Sequence, residues 1–502
     1  MTIFNRSSVL AIKEETTEGT IVQVAGATDF VAEQDGFSIE PNFSLLENAE
    51  LKGSIGKAKG IQGKEAPTAS FSHYLRHSGT EGTAPNYSLL AESALGTLTT
   101  NSTQRTTTSS STTSVIKLGA GGSDFPRGKA MLIKDATNGY SIRPVDSFSS
   151  NDVTLGFNVG TAPASGVSVG KCVNIAPANT GHPTFSLWHY RGNGGALELI
   201  SGARTAEMSI DFKAGELINV NYSLQGLKFH FNPITVGATD TKLDFTDDDG
   251  TVAATITAGV YRDPHELAAA ITTAMNAANS GETHTCTYLD ASGKFKIVST
   301  GTTLSLLFSS GSNASNSIHD KLGFTTADKT GTAATTGYTS ESAVSFAAPY
   351  TPSYDSADPL VAKYNEVFIG DAADTTCFDA KSVTVSINNN IVDNESVCAE
   401  TGVKSKVIQT REVTVNVVGE MAQYDVEKFK NFRANEAMKF CYNFGTKSGG
   451  NWVAGTCGQV YIPSATITSF KPSEDEGICT VELEIKAYVD SSGNGEIYLN
   501  YL

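Results

Sequence analysis

The sequence predicts a mainly β protein with a few helices, an α+β chain, and three observations carry that reading. Gly, Ser and Thr are abundant while charged residues make up 18%, below the usual quarter, a profile of short strands and turns. Near the end Cys479, Val481, Leu483 and Ile485 alternate with Thr480, Glu482, Glu484 and Lys486, the period of a half-buried antiparallel strand. A phrase is also used twice: Ile-Gln-x-[Lys/Arg]-Glu stands at Ile61 to Glu65 and again at Ile408 to Glu412, which predicts one unit present in two copies.

A chain of 502 residues has room for two to four domains. The first copy is expected over 1–98 plus 182–230. It opens with a strand pair, "GFSIEPNFSLLENAELKGSIGKAKGIQGKE", whose small and basic middle reads as a loop. A helix follows in "APNYSLLAESALG", and the copy closes with a strand, a turn at Gly215 and a second strand within Ser201 to Leu227. Between these parts, 99–114 reads as a Ser/Thr-rich linker with nothing to build a core. Residues 115–181 read as a small inserted β module of short strands, since insertion at an exposed loop costs little loop entropy. Residues 231–348 read as a separate α+β module. Its helix is announced by Asp263 as N-cap, Pro264 in the first turn and Glu266 closing a capping box, with Leu267, Ala270, Ile271, Ala274 and Met275 as the apolar face. The second copy, 349–502, repeats the strand pair, with Val403 to Ile408 read as its loop. A helix over Tyr424 to Phe440 follows, then a closing hairpin around Gly477.

A net charge of −17 argues against a surface that grips nucleic acid, which needs a basic footprint. The opening "MTIFNRSSVLAIKEETTEGT" has no basic region followed by an apolar core, so no secretory leader is expected, and no apolar run reaches the length of a membrane span. Seven cysteines without a CxxC pair read as reduced, mostly buried thiols. No catalytic set, cofactor or metal site is expected. Gly166 to Gly170 matches GxSxG but lacks the helix that a nucleophile elbow requires. Asp247-Asp248-Asp249-Gly250 fails the EF-hand spacing and reads as a hairpin turn. His265-Glu266 lacks the second histidine of a zincin, and His73 and His77 of "HYLRH" are placed on a surface strand and turn.

"LKGSIGKAKGIQGKEAPTASFSHYLRHSGTEGTAPNYSLLAESALG", Leu51 to Gly96, resembles the major tail tube proteins of long-tailed (siphovirus-type) bacteriophages. The likeness lies in the Gly/Lys loop leading to Glu65, the strand reaching Arg76, and "SGTEGTAPNY" entering a helix. "LAIKEETTEGT" is similar to that family's opening arm. The 231–348 unit is similar to small modules of phage virion proteins, above all at "LGFTTADKTG".

The resemblance implies two tandem tail-tube β-sandwich or barrel domains, each with a flanking helix, and two accessory modules. It implies a non-enzymatic virion protein, assembled in the host cytoplasm, whose rings stack into a hollow tail tube. Those rings would be trimers with pseudo-sixfold symmetry. Its partners would be itself, the tape measure protein and DNA transiently in the lumen, and tail terminator and tip or baseplate proteins, with no membrane insertion. Lys52, Gly53, Gly56, Lys57, Lys59, Val403, Lys404 and Lys406 are the candidates for inter-ring loops, and Glu482 and Glu484 for the lumen wall. The competing classes are another virion component such as a baseplate or head decoration protein, then a surface adhesin, then a tail-associated enzyme.

Overall fold

The computed structural model describes residues 5–50, 55–332, 334–421, 426–489 and 495–502. The chain is mainly β, with short helices. It divides into two compact units. One comprises Met1–Ala11, Ser186–Ser201 and Lys228–Thr351, and the other Ile12–Phe185, Gly202–Leu227 and Pro352–Leu502.

In the larger unit, eight strands form a continuous antiparallel run. They are β1 (Ser38–Glu40), β2 (Thr68–Tyr74), β3 (Ala196–Lys213, here from Gly202 onward), β4 (Asn219–Gln225), β5 (Ala380–Glu395), β6 (Val403–Glu420), β7 (Asn451–Asp475) and β8 (Ile478–Ala487). The pairings give the order β1-β2-β4-β3-β5-β6-β8-β7. One face is apolar, as period two demands: Ala69, Phe71, Val220, Tyr222, Ile210, Phe212, Val385, Val415, Leu483 and Ile485 are all buried. On β8 the alternation read from the sequence holds from Val481 to Lys486, while Thr480 is buried and Cys479 exposed.

The N-terminal half of β7 leaves this run and pairs with Met438–Ser448 and Tyr498–Tyr501. A second layer continues from there through Cys172–Pro177 to Gly96–Asn101, with Glu366–Gly370 on its other flank. Aromatic rings fill the core: Phe212 lies 4.0 Å from Tyr442 between centroids, and the Tyr87 hydroxyl bonds that of Tyr501 at 3.0 Å. Helix α1 (Ser88–Leu95) stops at Gly96, whose φ of 126° few other residues adopt. His73 and His77 are in this core, 3% and 1% exposed, not on the surface where the sequence placed them. His73 falls in phase with Ala69 and Phe71 on the inward face of β2. Burial pulls the pKa of each histidine down to about 4.

Residues 105–169 supply a six-stranded sheet around Ile116, Phe125, Met131, Ile133, Val145 and Leu155. The Ser/Thr-rich segment read as a linker contributes to both sheets beside it. Its start belongs to Gly96–Asn101, paired with Cys172–Pro177, and Arg105–Thr106 pairs with Ser168–Val169. The β-branched threonines that make this stretch poor in core residues suit it to a strand.

In the smaller unit, helix α2 (Pro264–Ala278) follows its sequence signals. The Asp263 carboxylate accepts the Glu266 N–H at 2.9 Å, and the Glu266 carboxylate reaches back to the Arg262 N–H. Its buried face is Leu267, Ala268, Ile271 and Met275, so Ala268 packs where Ala270 and Ala274 were expected. The hairpin Lys242–Asp247 with Gly250–Thr255 turns on Asp248-Asp249.

Candidate assembly surface

Three features of the larger unit present themselves at its surface: a polar sheet face, two open strand edges and a pair of arms. The first is the polar face of the eight-stranded run. It presents Ser70, Ser72, Asn221, Ser223, Ser209, Thr384, Ser386, Asn388, Thr414 and Asn416, with Glu207, Asp211, Glu412, Glu482 and Glu484 among them. Side-chain bonds tie the strands laterally: Asn221 to Asp211 at 2.8 Å and Thr384 to Asp211 at 2.9 Å. Glu482 and Glu484 lie on this face as half-exposed side chains. Lys471 bonds Glu482 at 2.8 Å and holds its carboxyl below the usual range, and Lys486 bonds Glu412 at 2.6 Å.

The second is a pair of open edges. Among the described residues no strand covers the outer side of β1 (Ser38–Glu40), nor the side of Ser469–Asp475 in β7 that faces away from β8. Strand pairing can extend from such edges. Lys471 and Pro472 lie on the second, and both residue types restrict what can pair there.

The halves of the run are alike in detail. Each has the strand order first, second, fourth, third, and each closing hairpin carries one bulge. On β3 the register skips Ala206, and on β7 it skips Thr468. Those positions are 262 apart (468 − 206), as are the turn glycines Gly215 and Gly477. Thr68 and Thr414, which open the ladders with β4 and β8, are 346 apart (414 − 68). The shared phrase stands 347 apart (408 − 61), so one residue is taken up at Ala66-Pro67, where the first half breaks its strand and β6 runs on.

The third feature is a pair of arms. Phe43–Leu46 pairs with Ile61–Glu65, and the distal parts of β5 and β6 pair from Asn389/Arg411 out to Glu395/Val403. Four antiparallel steps separate β2 from β6, so these strands run parallel and both arms leave the same end of the sheet. They also touch. Lys64 contacts the Asp393 and Glu395 carboxylates, and the Glu65 N–H donates to Thr401 O at 3.2 Å. The arms expose apolar side chains: Leu45 is 72%, Leu46 57%, Ile61 59% and Val397 104% exposed. Such residues gain free energy when covered.

Of the loop candidates, Lys52 and Gly53 fall outside the described residues. Gly56, Lys57 and Lys59 are exposed, with Lys57 3.5 Å from Glu47. Val403 to Ile408 is not a loop: it opens β6, and the tip is 396–402. Val403 is buried, Lys404 exposed, and Lys406 is 3% exposed with its ammonium 2.5 Å from Asp393. Sequence reading missed Lys64 and the leucines of the first arm. The signal for the leucines was "FSLLE", where Leu45 and Leu46 are adjacent and put apolar side chains on both faces of one strand.

Ser168 of the GxSxG match sits on a two-residue strand with the Gln104 amide as its partner. The cysteines are free thiols, with Cys172, Cys286, Cys441 and Cys457 buried and Cys377, Cys398 and Cys479 exposed. Burial pushes the Cys172 thiol up to about 11.

No protein-family model matches the chain, and no curated protein does. Among the solved structures similar to parts of it are two virion structures. One is a chain of the virion of a native gene transfer agent particle, 17% identical, covering 25% of this chain and 92% of that one at a TM-score of 0.20. The other is the SPP1 tail tube, 10% identical, covering 29% of this chain and 80% of that one at a TM-score of 0.22.

Proposed function

We propose that the chain is a structural tail-tube subunit of phage type, made of two copies of one repeat, which assembles with itself into stacked rings around a lumen that passes DNA. What carries the reading is the junction between the halves. There β3 of the first half pairs with β5 of the second, Ser209 opposite Ser386, Ile210 opposite Val385 and Asp211 opposite Thr384. Moving β3 forward by 262 and β5 back by 346 carries this junction onto the two open edges. Lys471 of one chain then faces Glu40 of the next, Pro472 faces Ile39 and Ser473 faces Ser38. The contact is head-to-tail, so it closes into a ring or runs on as a helix. Three chains supply six repeats, a pseudo-sixfold ring.

The Ser/Thr/Asn-rich face with Glu482 and Glu484 becomes the wall of the lumen in that ring, and its acidic excess repels the DNA backbone and lets it slide. The two arms, with Gly56, Lys57, Lys59 and Lys404 at their distal parts, bring Leu45, Leu46 and Val397 to the adjoining ring. The tape measure protein and DNA are transient occupants, terminator and tip proteins complete the ends, and the chain resides in the virion after assembly in the host cytoplasm.

The test is a cross-link at the derived register. Glu40→Cys and Lys471→Cys are combined in a chain whose exposed Cys377, Cys398 and Cys479 are serine. Residues directly opposite on antiparallel strands have Cβ atoms about 4.5–5.5 Å apart, within a short bismaleimide's span. Concentrated protein should give covalent dimers and trimers and no larger species. Tubes or rings that form and yield no cross-link would overturn the register, and closed oligomers of another symmetry would favour a different virion role.

A further inference from the structure

The smaller unit contains a cluster that the tube reading does not use. Asp247 ends the strand Lys242–Asp247, and Glu282 and His284 lead into the strand His284–Leu289. One ligand atom from each of the three lies within 4.8 Å of the others. The Asp247 and His284 side chains have no exposed surface, and His284 Nε2 is 3.3 Å from an Asp247 carboxylate oxygen. Neither ring nitrogen of His284 makes a hydrogen bond. A buried imidazole without a hydrogen bond is costly unless something else takes up its lone pair.

The carboxylates, in contrast, are oriented from behind. Asn279 donates to Asp247 at 2.7 Å and the Asp249 N–H at 3.1 Å, while Glu282 accepts from the Asp248 N–H at 3.1 Å and from the Ser299 hydroxyl. Metal-binding carboxylates are held by such outer partners. The neighbouring Asp248 is not a competing ligand, because its carboxylate is engaged by the backbone and hydroxyls of Thr302 and Thr303. Gly301 lies directly against the Glu282 carboxylate, and a Cβ there would push that carboxylate aside.

We propose that Asp247, Glu282 and His284 bind a divalent first-row cation, zinc first, as a structural site. One nitrogen and two carboxylate oxygens suit zinc, and a fourth position is left for water. Bound, the ion joins the end of the first hairpin to the segment after α2 and the strand that follows, which otherwise meet through side-chain hydrogen bonds.

The full chain with Cys377, Cys398 and Cys479 changed to serine is stripped with chelator, and Zn²⁺ uptake is measured by competition titration and elemental analysis. Co²⁺ absorption serves as a second readout of a nitrogen- and oxygen-ligated site. One ion per chain is expected. Glu282→Gln and His284→Gln should each weaken binding about tenfold or more, with circular dichroism and gel-filtration volume unchanged. Glu282 is the less buried ligand, so its variant keeps the test decisive if the histidine variant fails to fold. No uptake by the stripped chain with Zn²⁺ in excess, or full affinity in folded Glu282→Gln, would overturn the site and leave a buried carboxylate–imidazole contact.

Discussion

Lowering the pH should destabilise the larger unit from about pH 6.5 downward, before most carboxylates begin to titrate. His73 and His77 are held neutral by burial, with pKa values pulled from 6.5 to about 4. His73 Nδ1–H donates to the Tyr74 carbonyl at 2.9 Å, its Nε2 faces the Tyr222 hydroxyl at 3.4 Å, and Arg76 adds a smaller unfavourable charge. His77 Nδ1 meets the Ser78 hydroxyl at 3.2 Å, and its ring stands edge-on to Tyr501. The folded values lie below the unfolded one, so the unfolded chain takes up protons first as pH falls. The stability from burying neutral rings is complete above about pH 6.5 and is lost between 6.5 and 4. Linkage gives about 1.4 kcal/mol per histidine at pH 5.5 and about 2.5 kcal/mol at pH 4.5. His182, also lowered by burial, adds in the same direction. Guanidinium unfolding at pH 7, 5.5 and 4.5, followed by tyrosine fluorescence, should show the midpoint falling across this window. His73→Leu should flatten the fall by about half. A midpoint constant from pH 7 to 5, or a fall unchanged in folded His73→Leu, would mean that the buried histidines do not set the acid stability.

Three further outcomes follow from the same geometry. Deleting residues 53–60 should leave a folded subunit by circular dichroism yet block tube growth in electron micrographs; normal tubes would remove the first arm from the inter-ring contact. Leu45→Ser with Leu46→Ser should shift the unfolding midpoint by no more than about 0.5 kcal/mol, since both are exposed, while the sedimenting polymer disappears. Asp263→Ala should cost about 1 kcal/mol in the smaller unit by loss of the α2 cap, read by hydrogen exchange of the helix amides.

Much of this architecture is legible in the sequence wherever local chemistry decides it. Asp263, Pro264 and Glu266 mark α2 because a cap is a contact among near neighbours, and Val481 to Lys486 mark β8 because one face is wet. His73 was misplaced through its polarity, although its period-two phase with Ala69 and Phe71 pointed inward. Val403 to Lys406 reads as a loop because small and basic residues dominate it; Lys406 is drawn into a strand by Asp393 on the paired strand, a partner that spacing does not reveal. The open edges at β1 and β7 depend on topology alone, and so does the meeting of Lys64 with Asp393. Asp247, Glu282 and His284 are separated by a helix and fit no local motif.

Whether the chain builds a tube is decided by electron microscopy with native mass measurement on the purified chain, fresh and after concentration. A tube subunit built of two repeats gives hollow tubes or rings with three chains per layer, and six repeats visible around each ring. Six chains per ring, or closed assemblies without a lumen, would contradict this.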